Sequence, residues 1–143
     1  MTVREWRAED MPRILEIERE CFSDPWEISA FVAELENPFT HCFLAEEGGQ
    51  VCGYACLFVL FEDAEVHNIA VAKACRGRGV AKLLMNTMHT RAKDLGAERS
   101  LLEVRVSNAP AIGLYQNYGY AVYGVRGKYY PDGEDALVME KTL

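Results

Sequence analysis

The stretch "AEVHNIAVAKACRGRGVAKLL", residues 64–84, joins a strand-like apolar run, a basic turn and the start of an amphipathic helix. A strand that leads through a glycine-rich turn into a helix leaves backbone N–H groups unpaired at the positive end of the helix dipole. Gly77 and Gly79 let the backbone approach a ligand closely, and a phosphate or pyrophosphate is the natural guest. The turn therefore predicts an anion-binding site at a helix start.

The turn differs from two common phosphate-binding motifs. A P-loop requires GxxxxGK followed by Ser or Thr, which is absent, and a Rossmann GxGxxG motif would need glycine or alanine where Lys82 stands. A helix start with solvated arginines would have the same glycine spacing. Both interpretations stay open on this spacing alone.

The chain as a whole is acidic, in contrast to the turn. It carries 22 Asp and Glu against 15 Lys and Arg, a formal net charge of -7. This charge argues against direct nucleic-acid binding, because phosphate backbones attract cationic surfaces. It would suit a basic peptide as partner, although many acidic proteins need the charge for solubility alone. At 143 residues, half of them hydrophobic, the chain is expected to form one domain over residues 1–143.

The sequence favours a cytoplasmic protein without a membrane segment. The first ten residues, "MTVREWRAED", contain no apolar signal core, and the run "CGYACLFVLF" is too short to span a bilayer. Five cysteines form no CxxC pair, which fits a reducing compartment. His41, His67 and His89 have no metal-ligand spacing, so we expect no metal site and structural roles for all three.

Hydrophobic periodicity predicts the order strand, two helices, three strands, helix, strand, helix, two strands, which is a mixed sheet with helices on its faces. Asp10 is expected to cap the first helix. The predicted buried stripe of the second helix consists of Ile28, Phe31, Val32 and Leu35.

The later elements follow the same signals. The third helix is expected to end at Gly96, and Ser107 is the expected cap of a short helix that stops before Gly119. Two strand-like runs, "YAVYGVRGKYY" and "DALVMEKTL", flank a "PDG" turn. The predicted buried stripe of the third helix consists of Val80, Leu83, Leu84, Met88 and Leu95.

The motif Arg76-x-x-Gly79-x-Ala81 resembles the (Q/R)-x-x-G-x-(G/A) motif of the GNAT superfamily of N-acetyltransferases, and the element order agrees over almost the entire chain. The resemblance implies an α/β fold whose central, mostly antiparallel sheet is splayed at the cofactor site, with helices on both faces. It implies that the turn holds the pyrophosphate of acetyl-CoA and that the Val71 N–H faces the thioester carbonyl. The implied cofactor-binding residues are Ile69, Ala70, Val71, Arg76, Gly77, Arg78, Gly79, Val80, Ala81 and Lys82.

Glu103 is the leading candidate for a general base. In "SLLEVRV" the strand alternation directs Glu103 and Arg105 to the face opposite Leu102 and Val104. A free α-amine has a pKa of about 8, so a carboxylate can remove its proton near neutral pH. A solvated polar face with Glu103 and Arg105 as neighbours is the alternative.

Tyr115 is the leading candidate for a general acid. Asn108 lies seven residues earlier, so both residues share one helix face about two turns apart. Asn108 could then hold the pantetheine arm while the Tyr115 hydroxyl reaches the sulfur. A tyrosine packed in the core is the alternative. No cysteine or serine lies in an evident nucleophile motif, so direct transfer is the simpler scheme.

The segment "LLEVRVSNAPAIGLYQNYGY" is similar to bacterial ribosomal-protein-alanine N-acetyltransferases of the RimI type. This resemblance implies that Glu103 is the base, that Tyr115 is the acid and that Asn108 contacts the cofactor. It also implies that the acceptor is the N-terminal alanine of a small-subunit ribosomal protein. We expect the chain to be a monomer or weak dimer. A broader N-terminal, lysine or small-amine acetyltransferase is one alternative, and a non-catalytic CoA-binding domain is another.

Two further segments, "DPW" and "KYYPDGEDALVM", resemble the same subfamily. They imply that Trp26, Tyr129 and Tyr130 line the peptide groove, whereas a tyrosine pair in a β-ladder is the alternative. Glu27 is a departure, because the subfamily usually has serine after this tryptophan. The change is expected to weaken a helix cap and to leave the chemistry unaffected.

Overall fold

In a computed structural model that describes residues 1–143, seven strands form one sheet. They are β1 (Thr2–Glu5), β2 (Thr40–Glu47), β3 (Gln50–Leu60), β4 (Asp63–Val71), β5 (Arg99–Arg105), β6 (Ala121–Arg126) and β7 (Ala136–Thr142). Their order in the sheet is β1-β2-β3-β4-β5-β7-β6. Only β4 and β5 pair in parallel. The predicted order of elements and the mostly antiparallel sheet are confirmed.

Four helices cover the two faces of the sheet: α1 (Met11–Cys21), α2 (Ile28–Glu36), α3 (Val80–Asp94) and α4 (Ala109–Asn117). Neighbouring residues of a strand point to opposite faces. The Tyr54 hydroxyl on β3 bonds Glu18 of α1, and its ring packs against Phe31 of α2. A Cβ on Gly53 would instead lie 3.0 Å from Val80 of α3. Helices α1 and α2 therefore share one face, and α3 covers the other.

The strands β4 and β5 separate halfway along their length. They pair only from Asp63–Val66 to Arg99–Leu102. Beyond this ladder, β4 follows β3 to Val71, and β5 follows β7 to Arg105. The predicted splay of the sheet is confirmed, and it opens a gap between the two strands.

The buried face of α2 differs from the predicted stripe. Phe31 is fully buried against the rings of Trp6, Tyr54 and Trp26, while three of the four predicted residues are exposed. The helix packs chiefly against one strand, β2, so a single large ring suffices to anchor it. The apolar period identifies the helix and its buried residue Phe31, but the rest of the predicted stripe is not buried. The exposed residues are Ile28, Val32 and Leu35.

The predicted cap of α1 is wrong, although the helix begins where expected. The Asp10 carboxylate accepts a hydrogen bond from the Arg7 backbone N–H at 2.8 Å and pairs with Arg4 at 2.8 Å, so it bonds no amide of α1. At the start of α2, Glu27 makes no side-chain cap bond, as its departure from serine predicts.

Two further helix ends are corrected. Ser107 does not cap α4, because the Asn108 Oδ1 accepts the Ala111 N–H at 3.3 Å. Leu95 is exposed rather than buried, because it lies at the C-terminal end of α3 where the chain leaves the core. Gly96, with a φ of 88°, ends this helix as predicted.

Candidate active site

Two cavities meet where β4 and β5 separate. The larger cavity, about 580 Å³, lies between α2, the sheet and the connection from β6 to β7. The smaller cavity, about 220 Å³, lies in the gap between β4 and β5 and reaches α4. The residues that line both cavities are Trp26, Val66, His67, Leu102, Glu103 and Tyr130.

Glu103 is the only carboxylate that lines both cavities. The predicted alternation of β5 holds, since Leu102 and Val104 are buried while the Glu103 side chain is 28 % exposed. Its Oε1 forms an ion pair with the Arg126 Nε at 3.0 Å. Glu103 is therefore a half-buried carboxylate at the junction of the two cavities.

Tyr115 and Asn108 of α4 line the smaller cavity, as does Glu103. Burial raises the pKa of Tyr115 well above its ordinary value, so the phenol keeps its proton at neutral pH. The Tyr115 ring packs edge-on against Tyr120. The Asn108 Oδ1 serves as the helix cap, and its amide NH₂ group is left as the donor that could reach a ligand.

The basic turn follows β4 along the chain and lines neither cavity. Gly77 and Gly79 have φ values of 79° and 80°, and a Cβ on either would meet nothing within 4 Å. The turn is exposed, and its cations have only distant partners: Arg78 lies 3.6 Å from a carboxylate and Arg76 lies 3.5 Å from a thiol. Exposed cations around free amides at the start of α3 fit a diphosphate. Ala81 is half-buried, Lys82 is exposed and the Val80 side chain is buried.

The edge of β4 that faces the gap has backbone groups without a strand partner. Ala72 donates to the Cys52 carbonyl of β3 at 2.8 Å, so alternate residues direct their N–H and C=O groups away from β3. Ile69 and Val71 are these residues, whereas the polar backbone groups of Ala70 face β3. The Cys21 thiol donates to the Val71 carbonyl at 3.3 Å.

The predicted peptide-groove residues line the larger cavity together. Strand β6 ends at Arg126, so Tyr129 and Tyr130 lie in the connection to β7, and the β-ladder alternative is wrong. Their rings meet edge to face at 5.1 Å. Trp26 packs on Phe31 at 5.2 Å and lines the same cavity.

Arg105 is not the solvated neighbour that the alternative interpretation of β5 assumes. It pairs with Asp24 at 2.8 Å, and its guanidinium lies 4.0 Å from the centre of the Tyr130 ring. Two more carboxylates, Asp132 at 2.8 Å and Glu134 at 2.9 Å, complete its shell. Arg105 thus fixes both flanking connections of the larger cavity to β5. Its position on the Glu103 face is the sequence signal for this role.

The sequence does not predict the role of one buried carboxylate, which bonds residues that line the smaller cavity. Glu18 of α1 accepts from the Asn68 amide at 3.0 and 3.1 Å, from the Tyr54 hydroxyl and from the Trp26 N–H at 3.4 Å. Burial raises the pKa of Glu18. Because Asn68 and Trp26 both line the smaller cavity, Glu18 positions two of its walls. Its helical position alone gives no signal of this role.

His67 lines both cavities and is held by two carboxylates. Its Nδ1 lies 2.7 Å from Glu34 and its Nε2 lies 3.3 Å from Glu65. Burial acts to lower the pKa of His67, but the two carboxylates outweigh it and the pKa is raised. No group of three or more His, Cys, Asp or Glu side chains is arranged to hold a metal ion. No helix combines the length and apolar character needed to cross a membrane.

Comparison with known proteins identifies the family to which this chain is similar. Residues 11–120 match the acetyltransferase (GNAT) family. The chain is 41 % identical over 143 residues to a putative [ribosomal protein bS18]-alanine N-acetyltransferase of Bacillus subtilis, covering 99 % of this chain and 95 % of that protein.

Two crystal structures agree with this match. The ribosomal-protein-S18-alanine N-acetyltransferase of Escherichia coli superposes with a TM-score of 0.91 at 29 % identity, over 99 % of this chain and 92 % of that one. Naa20 of Chaetomium thermophilum in complex with a bisubstrate analogue gives 0.89 at 26 % identity, over 100 % and 87 %. The chain therefore belongs to the acetyltransferase (GNAT) family and is an acetyl-CoA-dependent N-acetyltransferase.

Proposed function

We propose that this protein acetylates the N-terminal α-amine of a protein, specifically the N-terminal alanine of a small-subunit ribosomal protein, in the cytoplasm. The observation that carries the proposal is the position of Glu103 at the junction of the two cavities, with Tyr115 in the smaller one. The similarity to bacterial proteins named as ribosomal-protein-alanine N-acetyltransferases supports the same acceptor.

The chain's own residues divide the tasks of amide formation. Acetyl-CoA supplies the acetyl group as a thioester. The amides of Gly77 and Gly79, with Arg76, Arg78 and Lys82, hold its pyrophosphate, while Val80 contributes only its amide and Ala81 allows close approach. The exposed backbone groups of Ile69 and Val71 hold the pantetheine arm beside the small side chain of Ala70, and the Asn108 amide donates to it.

Proton transfer is assigned to two side chains that line the smaller cavity, Glu103 and Tyr115. Glu103 removes a proton from the acceptor's α-ammonium, directly or through water, and leaves a neutral amine. The amine nitrogen then forms a bond to the thioester carbonyl carbon, the C–S bond breaks, and the second amine proton is lost as the amide forms. Tyr115, which stays protonated at neutral pH, donates its proton to the departing thiolate. The Val71 N–H donates to the carbonyl oxygen as negative charge develops there.

The larger cavity is the proposed acceptor site. The amphipathic rings of Trp26, Tyr129 and Tyr130 give a short peptide both apolar contact and hydrogen-bonding edges. The carboxylates of Glu34, Glu65 and Glu103 favour a cationic peptide end, in keeping with the net charge of -7. A chain that binds one peptide end in this cavity needs no second subunit, so we propose a monomer or weak dimer.

A peptide panel tests the proposal. Peptides that begin with Ala, Met or Ser, and a blocked peptide with an internal Lys, are incubated with the protein and acetyl-CoA, and product is measured by mass spectrometry. We expect kcat/KM to be at least about tenfold higher for the alanine peptide. A difference of about one methylene group in how a side chain fits a pocket changes kcat/KM by this amount. Equal use of all N-termini would support a broad N-terminal acetyltransferase. Acetylation of the internal lysine alone would contradict the proposal.

A further inference from the structure

Arg126 reaches the candidate base from two strands away. It is the last residue of β6 and pairs with Ala136 of β7, while Glu103 of β5 pairs with Val138 of β7. The Arg126 side chain therefore crosses β7 to place its Nε 3.0 Å from the Glu103 Oε1. Val138 and Arg126 both line the larger cavity. The guanidinium thus lies at the side of Glu103 from which an acceptor would approach.

The two arginines near the cavities are held very differently. Arg105 has three carboxylate partners and an aromatic face, and only 19 % of its side chain is exposed. Arg126 has one carboxylate partner, and 58 % of its side chain is exposed. Exposed single ion pairs are weak and exchange easily with other cations. Arg105 is therefore a fixed part of the wall, whereas Arg126 is displaceable.

Resting on the proposed function, we propose that Arg126 is a positioning residue that occupies the place of the acceptor's α-ammonium beside Glu103 and yields it when the acceptor binds. The exchange replaces one cation by another, so the half-buried carboxylate is never left without a counter-charge. The Tyr129 ring already lies 5.9 Å from the guanidinium, a contact that the side chain keeps when it leaves Glu103. A neutral peptide end does not displace the guanidinium, so the competition lowers the affinity of a charged amine end only.

Peptide binding measures this competition without requiring turnover. An alanine-initiated hexapeptide and its N-acetylated counterpart are titrated calorimetrically into the protein with CoA present. The proteins are wild type, R126Q, R126K and R7Q. Arg7 is a matched control, because it is exposed and has one ion pair, to Glu9 at 3.5 Å, outside the residues that line either cavity. The other charged or titratable residues lining the larger cavity are Glu34, Glu65, His67, Tyr129 and Tyr130.

We expect R126Q to bind the free-amine peptide about threefold to fivefold more tightly at pH 6.5, as fits the loss of one exposed competing ion pair. The gain should vanish at pH 9.5, because the α-amine has a pKa of about 8 and is then neutral. R126K and R7Q should bind like wild type, and the acetylated peptide should not distinguish R126Q from wild type. A structural role of Arg126 would not depend on the charge of the ligand.

Two results overturn the inference, and they differ from failure of the proposed function. Equal affinity of wild type and R126Q for the free-amine peptide at pH 6.5 would exclude competition by Arg126. An equal gain in affinity for the acetylated peptide would show that Arg126 hinders binding sterically and does not compete for the Glu103 carboxylate. If wild type binds CoA but neither peptide, the proposed acceptor site itself is wrong.

Discussion

Glu103 and Glu65 both line the larger cavity, yet they differ in what else they touch. Glu65 pairs with His67 at 3.3 Å and does not reach the gap between β4 and β5. Glu103 lines both cavities and shares the smaller one with Tyr115. A base must lie within hydrogen-bond reach of the proton that it removes, directly or through one water. Position rather than residue type therefore separates the two carboxylates.

The substitution Glu103→Gln should lower kcat by about 10²-fold or more, because the amide cannot accept the ammonium proton. Affinity for acetyl-CoA should stay unchanged, since the proposed phosphate turn is untouched. Glu65→Gln is the matched control and should keep kcat near wild type. Steady-state kinetics with the alanine peptide and calorimetry with CoA measure both quantities. Comparable kcat losses in the two variants would remove Glu103 from the mechanism.

At the scale of residues, sequence predicts the strand face of Glu103 but not its partners. The alternation of side chains along β5 is enough to predict the face on which Glu103 lies, because this alternation depends on backbone geometry alone. Arg126 and Asp24 come from remote parts of the chain, and only the assembled sheet brings them to β5. The same holds for Glu18 of α1, whose partners Asn68 and Tyr54 lie on strands β4 and β3.

Among the elements, α3 and β3 approach each other at a glycine. A Cβ on Gly53 would lie 2.7 Å from the Ala70 carbonyl oxygen and 3.0 Å from Val80. The close approach brings the start of α3, and with it the basic turn, against the edge of β4. This glycine serves packing, and its role differs from that of the exposed glycines of the turn.

Gly53→Ala should lower the free energy of unfolding by about 1–3 kcal/mol, because the added methyl group must displace backbone or a buried side chain. Gly124→Ala is the matched control, a strand glycine of β6 whose added Cβ would meet nothing within 4 Å. It should change stability by no more than about 0.5 kcal/mol. Urea unfolding of both variants measures the difference. Equal stability of the two would show that the strands and helix adjust without cost.

Element order and type follow from periodicity throughout the chain, while burial of a given face does not. The third helix shows both outcomes, since Val80 and Leu84 are buried as predicted and Leu95 is exposed. The splay between β4 and β5 is implied only by family resemblance. No local pattern reveals where two paired strands part, because that depends on the competing ladders to β3 and β7.

At the scale of the whole molecule, two histidines should change the pH dependence of the free energy of unfolding in opposite directions. Burial, with smaller contributions from Lys141 and Lys93, lowers the pKa of His89 to about 4. The unfolded chain therefore binds a proton in the range from about 6.5 to 4 that the folded chain does not. Acidification through this range should cost stability. His67, whose pKa is raised, should return some stability as the pH falls.

His89→Gln should flatten the acid loss of stability, although its stability at pH 7 can be lower because the Tyr120 hydroxyl bond at 2.7 Å changes. A single group of this kind contributes a slope of at most about 1.4 kcal/mol per pH unit. His67→Gln should steepen the loss instead. Urea unfolding at pH 7.5, 6.0, 5.0 and 4.5 gives the slopes. Parallel curves for wild type and H89Q would exclude His89 as the source.

The position of β7 between β5 and β6 has a consequence for synthesis. The half-sheet β1–β4 with α1 and α2 is complete once residue 71 has been made, whereas Glu103 and Arg126 lie on strands that have no direct contact with each other. Chains fold from the N-terminus as they emerge from the ribosome. The strand that joins these two residues, Ala136–Thr142, is the last to emerge. A nascent chain can thus fold its first half early, but the ion pair between Glu103 and Arg126 forms only after translation has passed β7.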